Sequence, residues 1–222
     1  LLDGLPIDSF ADSMSLDPWA LERVELHEGP ASVMYSNYLT MVFAGNECPL
    51  AGITHFVLKQ HVEGSLTRAQ VEAGSYRTFG GRVYHQERVG NFAYFAGISH
   101  ESSDYTNYGT TDSWLHILDS PDYRKTRIYG KAIYDLGRED HEVALFVQHT
   151  IHTGEAGRPN RDFDNHYDTV NAAYTNQLND TVNLQFKAGY RGYDRRWGED
   201  QSPVSLASRE HDGVEQGIVP VD

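Results

Sequence analysis

Eleven histidines and 32 acidic side chains are the groups in this 222-residue chain that metal or acid–base chemistry would draw on. A chelating pair needs both rings on one face. His149 and His152 are three apart, and on a strand that spacing sends them to opposite faces. His55 and His61 share a face only if one strand runs unbroken through both. Asp162, Asp164 and His166 alternate and share a face, while Glu210-His211-Asp212 reads as part of a turn. None of these has the paired spacing of a structural zinc site. No Ser or Cys nucleophile motif accompanies the Glu-His-Asp run. Neither a metal, nor a cofactor, nor an enzyme activity is therefore expected. The single cysteine, Cys48, excludes an internal disulfide and a multi-cysteine metal knuckle.

The charge balance narrows the partners. With 18 basic residues against 32 acidic ones the net charge is −14, and affinity for phosphates comes mainly from Lys and Arg, so no nucleic-acid partner is expected. No run approaches the ~18 apolar residues of a membrane helix. Leu1-Leu2-Asp3 lacks an initiator Met and a signal segment, and Gly217 to Asp222 carries no helix stop. The chain is expected to be a piece of a longer one.

Two kinds of element must position these groups. Residues 1–64 mix short helical and extended signals. Asp17 is a candidate N-cap for a helix over Pro18–Arg23, with Pro18 at the first helical position. Val24–Leu26 reads as a short strand, Ala31–Tyr35 as a second brief helix, and Ile53–Leu58 as a strand. From Thr67 onward the period is two. Val182, Leu184, Phe186, Ala188 and Tyr190 alternate with polar or tiny residues, giving one wholly apolar face. Ile128 to Tyr134 alternates less cleanly. In Phe92 to Ile98 the smaller, more polar set is interrupted by Phe95. Ala69–Tyr76, Arg82–Val89, Glu142–Ile151 and His166–Gln177 complete seven strands. Val89-Gly90-Asn91, Gly137–Asp140 and Asn179-Asp180 are tight turns, with longer connections at 101–124 and 152–165. Arg77–Gly81 is short where a long connection is due. Strands near ten residues with short turns at one end and long loops at the other are the pattern of outer-membrane barrels.

Asp3-Gly4-Leu5-Pro6, then Leu21-Glu22-Arg23-Val24-Glu25-Leu26, then Gly29-Pro30-Ala31-Ser32-Val33-Met34-Tyr35, in this order and spacing, resembles the plug domain of TonB-dependent outer-membrane receptors. Two departures are His27-Glu28 before the Gly-Pro and a longer loop after Tyr35-Ser36-Asn37. The resemblance implies an α+β plug-like segment, residues 1–64, followed at 65–222 by an antiparallel β-sheet. That sheet would be an incomplete part of a transmembrane barrel of about 22 strands with a plugged lumen.

The resemblance further implies uptake of a scarce ligand of the ferric siderophore or cobalamin type across a Gram-negative outer membrane. The partners would be outer-membrane lipid and the TonB complex, recruited through a TonB box outside these residues. Within the plug, Asp3, Gly4, Pro6, Gly29 and Pro30 read as turn-shaping residues. Glu22, Arg23 and Glu25 are expected to pair with inward barrel residues such as Arg127, Lys131, Lys187 and Arg191. The loop Asn37–Pro49, with Tyr38, Phe43, Asn46 and Cys48, is the candidate apical loop for ligand. A soluble β-rich module that recognises carbohydrate or protein through its long loops is the alternative. An uncovered apolar strand face at Val182–Tyr190 would separate the two.

Overall fold

The computed structural model describes residues 1–5, 7, 15–28, 52–104, 121–137, 141–155, 162–179, 181–197, 209–211 and 214–216. Almost all of these lie in antiparallel β-structure. Seven strands, β3 (Leu66–Gly74), β4 (Thr78–Val89), β5 (Phe92–Asp104), β6 (Asp122–Asp135), β7 (His141–Glu155), β8 (Asp162–Asn179) and β9 (Val182–Trp197), form one sheet in sequence order. Every alternating segment marked by the sequence forms its strand. Most run past the alternation, because ladder hydrogen bonds continue where both faces turn polar near the connections. Ahead of the sheet, β1 (Leu21–Glu28) pairs with β2 (Gly52–Leu58), and after it β10 (Arg209–His211) pairs with β11 (Val214–Gln216).

Three local expectations are corrected. The helix over Pro18–Arg23 is a single 3₁₀ turn, Pro18–Ala20. Asp17 does cap it, accepting the Trp19 N–H at 2.9 Å. The chain then enters β1 at Leu21, because an extended partner in β2 satisfies backbone groups that an isolated short helix would leave open. The turn placed at Arg77–Gly81 is Ser75–Arg77, with Tyr76 and Arg77 left-handed at φ 56° and 51°. Phe79 and Gly81 instead extend the ladder opposite Ala73 and Val71. The strand at Val24–Leu26 is a full eight residues. Pro6, Gly29, Pro30, the helix expected at Ala31–Tyr35 and the loop Asn37–Pro49 lie outside the described residues.

The two faces of the sheet differ in kind. On the inner face, Tyr84, Phe95, Tyr129, Ile133 and Phe146 are buried against Leu2, Ile7, Leu16, Ala20, Leu58 and Val62 of the N-terminal residues. Tyr84 is the seat of this contact. Trp19 meets it edge-on at 6.4 Å, Phe95 tilts against it at 5.9 Å, and the Lys59 ammonium lies 3.9 Å above its ring. The outer face carries Val83, Ile98, Ile128, Val147, Phe186 and Tyr190, each at least 46% exposed.

Gly97 is needed for the inner packing. It lies opposite Tyr129, whose ring crosses the position where a Cβ would stand, 2.5 Å from the ring carbon. A Gly97→Ala substitution should displace that ring and destabilise the chain by about 1–3 kcal/mol through overpacking. Urea unfolding measures this, and an unchanged midpoint would contradict the packing.

Candidate functional site

The inner face holds two polar centres, one near the short turns and one near the long connections. The first is built on Asp3. Asp3 and Gly4, at φ 49° and 81°, make a two-residue turn in which Leu2 and Leu5 exchange both backbone hydrogen bonds. Positive φ at both central residues is the I′ geometry that Asp-Gly favours. The turn sends the carboxylate of Asp3 into the interior. One oxygen accepts from the Leu58 N–H at 2.9 Å and from Gln60 Nε2 at 3.1 Å. The other receives Lys131 Nζ at 3.2 Å, and the same ammonium donates to Gln60 Oε1 at 3.0 Å. Lys187 Nζ donates to the Asp3 carbonyl at 2.7 Å. Lys131 stands between Phe95 and Phe146 in the ladder, with its side chain 3% exposed. A charge so placed persists only when paired and hydrogen-bonded.

This corrects the expected pairing. Glu22 and Glu25 do not reach the sheet. Arg23 binds both, at 2.9 and 2.7 Å, and Glu25 also meets His55 at 3.2 Å. Asp3, expected only to shape a turn, is the acid that meets Lys131. Gln60, which no motif marked, joins the two units: its side chain bridges Asp3 and Lys131, and its N–H donates to Glu22 at 3.0 Å. That last bond is the main cause of a Glu22 pKa below its ordinary 4.5. Burial pulls the His55 imidazole below its ordinary value, opposed by Glu25.

The second centre is one hydrogen-bonded row across the sheet: Glu101, Lys125, His152, Asn165 and Arg195, each opposite the next. Cross-strand partners share a face, so all five project inward. Glu101 lies 3.4 Å from both Lys125 and Arg127. His152 packs against Tyr123 at 5.9 Å and Phe163 at 4.9 Å. The Arg195 guanidinium lies over Tyr167 and Tyr193, at 5.7 and 5.5 Å. Aromatic rings thus flank a line of cationic and amide donors.

The histidines fall where strand geometry sends them. His149 is outward against Asp168 at 2.7 Å, and His152 is inward. His55 and His61 do not share a strand, since β2 ends at Leu58. His166 pairs with Asp164 on the outer face at 3.0 Å. Glu210 and His211 lie in β10, and Asp212 is outside the described residues. No group of three or more His, Cys, Asp or Glu side chains among the described residues is placed to hold a metal ion. Compared with protein-family models and with curated proteins, the chain matches no family model and no curated sequence.

Two outcomes are expected at the Asp3 centre. Asp3→Asn keeps the turn but leaves Lys131 buried without its carboxylate. It should loosen the N-terminal residues from the sheet by about 3 kcal/mol, read as proteolysis ahead of β3 at lower urea than in the wild type. At Glu22 the folded pKa is depressed, so its stabilising contribution is full above pH 4.5 and is lost as pH falls through the folded value. The Gln60 amide resonance should therefore titrate with a midpoint below 4.5, and Glu22→Gln should abolish that titration.

Proposed function

We propose that the chain is a sector of a TonB-dependent outer-membrane receptor, with residues 1–64 belonging to a plug and β3–β9 to the wall of a barrel of about 22 strands. In this reading, ligand from outside is received on the inner wall near the long connections and passes inward when the plug shifts. The sequence resemblance motivates the family, and the outer face of the sheet supports a lipid setting.

The apolar band on the outer face slants across the strands, as a tilted membrane wall requires. Phe79 is the apolar residue nearest the long connections on the outer face of β4. Its hydrogen-bonded row runs through Ser102, Arg124, Thr153 and Asp164 to Arg196 on β9. On β9 the band instead ends at Tyr190, six residues lower (196 − 190). Between its end strands the band drops six residues over five steps, an average of about 1.2 per strand, in uneven steps that place its edge at Ile98, Ile128, Ile151 and Val170 on β5–β8. With ~3.3 Å per residue and ~4.8 Å between strands, the strands lean about 40° to the band. Membrane barrels lean 35–45°. Near the turn end of the band Phe92 lies opposite Tyr134, and Tyr174 stacks on Phe186, as interfacial aromatics do. A water-soluble sheet would need a second layer over Val143, Leu145 and Val147, which are 43–46% exposed.

Leu145→Arg and Phe186→Arg, in the middle of the band, should each cost about 2–4 kcal/mol of folding into lipid vesicles. Gln185→Arg, on the inner face, should cost far less. Folded fraction by heat-shifted gel mobility reads the difference. Equal effects at all three positions, or a full-length protein that is monomeric without detergent, would refute the membrane reading.

A further inference from the structure

We infer that the cavity between the N-terminal residues and the turn end of the sheet binds a small zwitterion with an apolar body, of the size of a di- or tripeptide; the site rests on that cavity alone and not on the receptor reading. The space amounts to about 800 Å³, within the ~300–1,000 Å³ that small-molecule sites occupy. Leu5, Val57 and Gln60 border it on one side and the inner face of β5–β9 on the other. Ala93, Ile133, Ala144 and Ala173 stand opposite one another in a hydrogen-bonded row that ends at Lys187. Cross-strand partners share a face, so three alanines leave open the space that larger side chains would fill. The next row towards the turns holds Asp135, Glu142, Thr175 and Gln185. The cavity thus has an apolar middle and polar ends.

Most of the charges that line it are already matched. Lys131 has Asp3, Arg88 lies 3.7 Å from Asp135, and Arg23 binds Glu22 and Glu25. The imidazoles of His55, His61 and His141 meet Glu25, Glu22 and Tyr174. Two charges of opposite sign are left. Glu142 makes no ion pair or hydrogen bond among the described residues, and its field reaches Lys131 from a distance. Lys187 donates one hydrogen bond, to the neutral carbonyl of Asp3, and an ammonium has three donors. The two residues are two strands and one inward step apart, so their Cα atoms are about 12 Å from each other. Asn171 is the second, independent observation. It is 6% exposed, and its Oδ1 accepts from Arg191 at 2.7 Å. That bond turns the amide nitrogen away from Arg191, and Nδ2 has no partner among the described residues. A buried donor without a partner is costly; Asn171 lines the cavity one inward step from the Lys187 row. A ligand carboxylate meets Lys187 and Asn171 Nδ2 together, and an ammonium at its other end meets Glu142. A simple anion would face Glu142 and a simple cation would face Lys187, so a molecule carrying both charges fits best.

The test titrates the full-length protein by calorimetry with the peptides Ala-Leu and Ala-Leu-Ala. Each is used in four forms: free, N-acetylated, C-amidated, and blocked at both ends. At least one free peptide should bind, and either block should weaken it at least tenfold. Glu142→Gln should abolish the preference for the free over the N-acetylated form and keep the preference over the C-amide. Lys187→Gln should do the reverse. Asn171→Leu, which keeps every charge, should weaken the free peptide severalfold, and the outward Arg124→Gln not at all. Because the ligand would touch both Leu5 and the sheet, saturating peptide should raise the urea concentration at which proteolysis occurs ahead of β3. Free and blocked peptides of equal affinity, no binding of either free peptide, or Glu142 and Lys187 variants that keep both preferences would overturn the inference. The four forms are compared on the wild type first, so a variant that fails to fold does not remove the test.

Discussion

A lysine between two buried phenylalanines must keep its charge satisfied, and the arrangement of the N-terminal residues follows from how Lys131 does so. Its counter-ion is supplied by a turn 128 residues away in sequence. For Asp3 to arrive there, Leu2 and Leu5 must close a tight turn, Leu1 to Asp3 must lie along β2, and Gln60 must span the gap. The pair contributes little net stability by itself, because both charges leave water. Its effect is positional: other registers of the N-terminal segment against the sheet would strand a buried ammonium, so one docking geometry is selected.

The two faces of the sheet around that pair differ in composition. Its inner face mixes tyrosine, phenylalanine, lysine and arginine, and is covered by the chain itself. Its outer face carries a band of aliphatic and aromatic residues that the described residues leave uncovered. Alternation along a strand does not say which face is inside. That assignment follows only when the N-terminal half is seen against Tyr84 and Phe95. The slant of the outer band relative to the hydrogen-bonded rows then links the residue pattern to strand tilt, a relation no single strand contains.

The strands were legible because period two is a local signal, and the β9 run from Val182 to Arg191 carries it over ten residues. The exceptions were more informative than the rule. Phe95, an intrusion in an otherwise small and polar set, is the centre of the inner core. So are Tyr129 and Ile133 from the untidy β6 pattern. The polar centres were not legible. Asp3 read as half of an Asp-Gly turn, which it is, but nothing local announces a partner on β6. Glu22, Arg23 and Glu25 looked like a charged face seeking counter-ions, yet neighbours on their own hairpin satisfy them first. The row at Lys125–Arg195 exists only once four strands are in register.

Every strand from β3 to β9 pairs with its immediate neighbour in sequence. The order of assembly follows from that connectivity. Contacts of short sequence separation lose little chain entropy on closing, so hairpins can form early and the sheet can grow by adding one strand at a time. The contacts of Asp3 with Lys131 and Lys187 close loops of 128 and 184 residues and belong to the end of that process. The N-terminal residues are thus the last to be fixed, and the first to be released when the protein is strained, while the meander behind them stays whole.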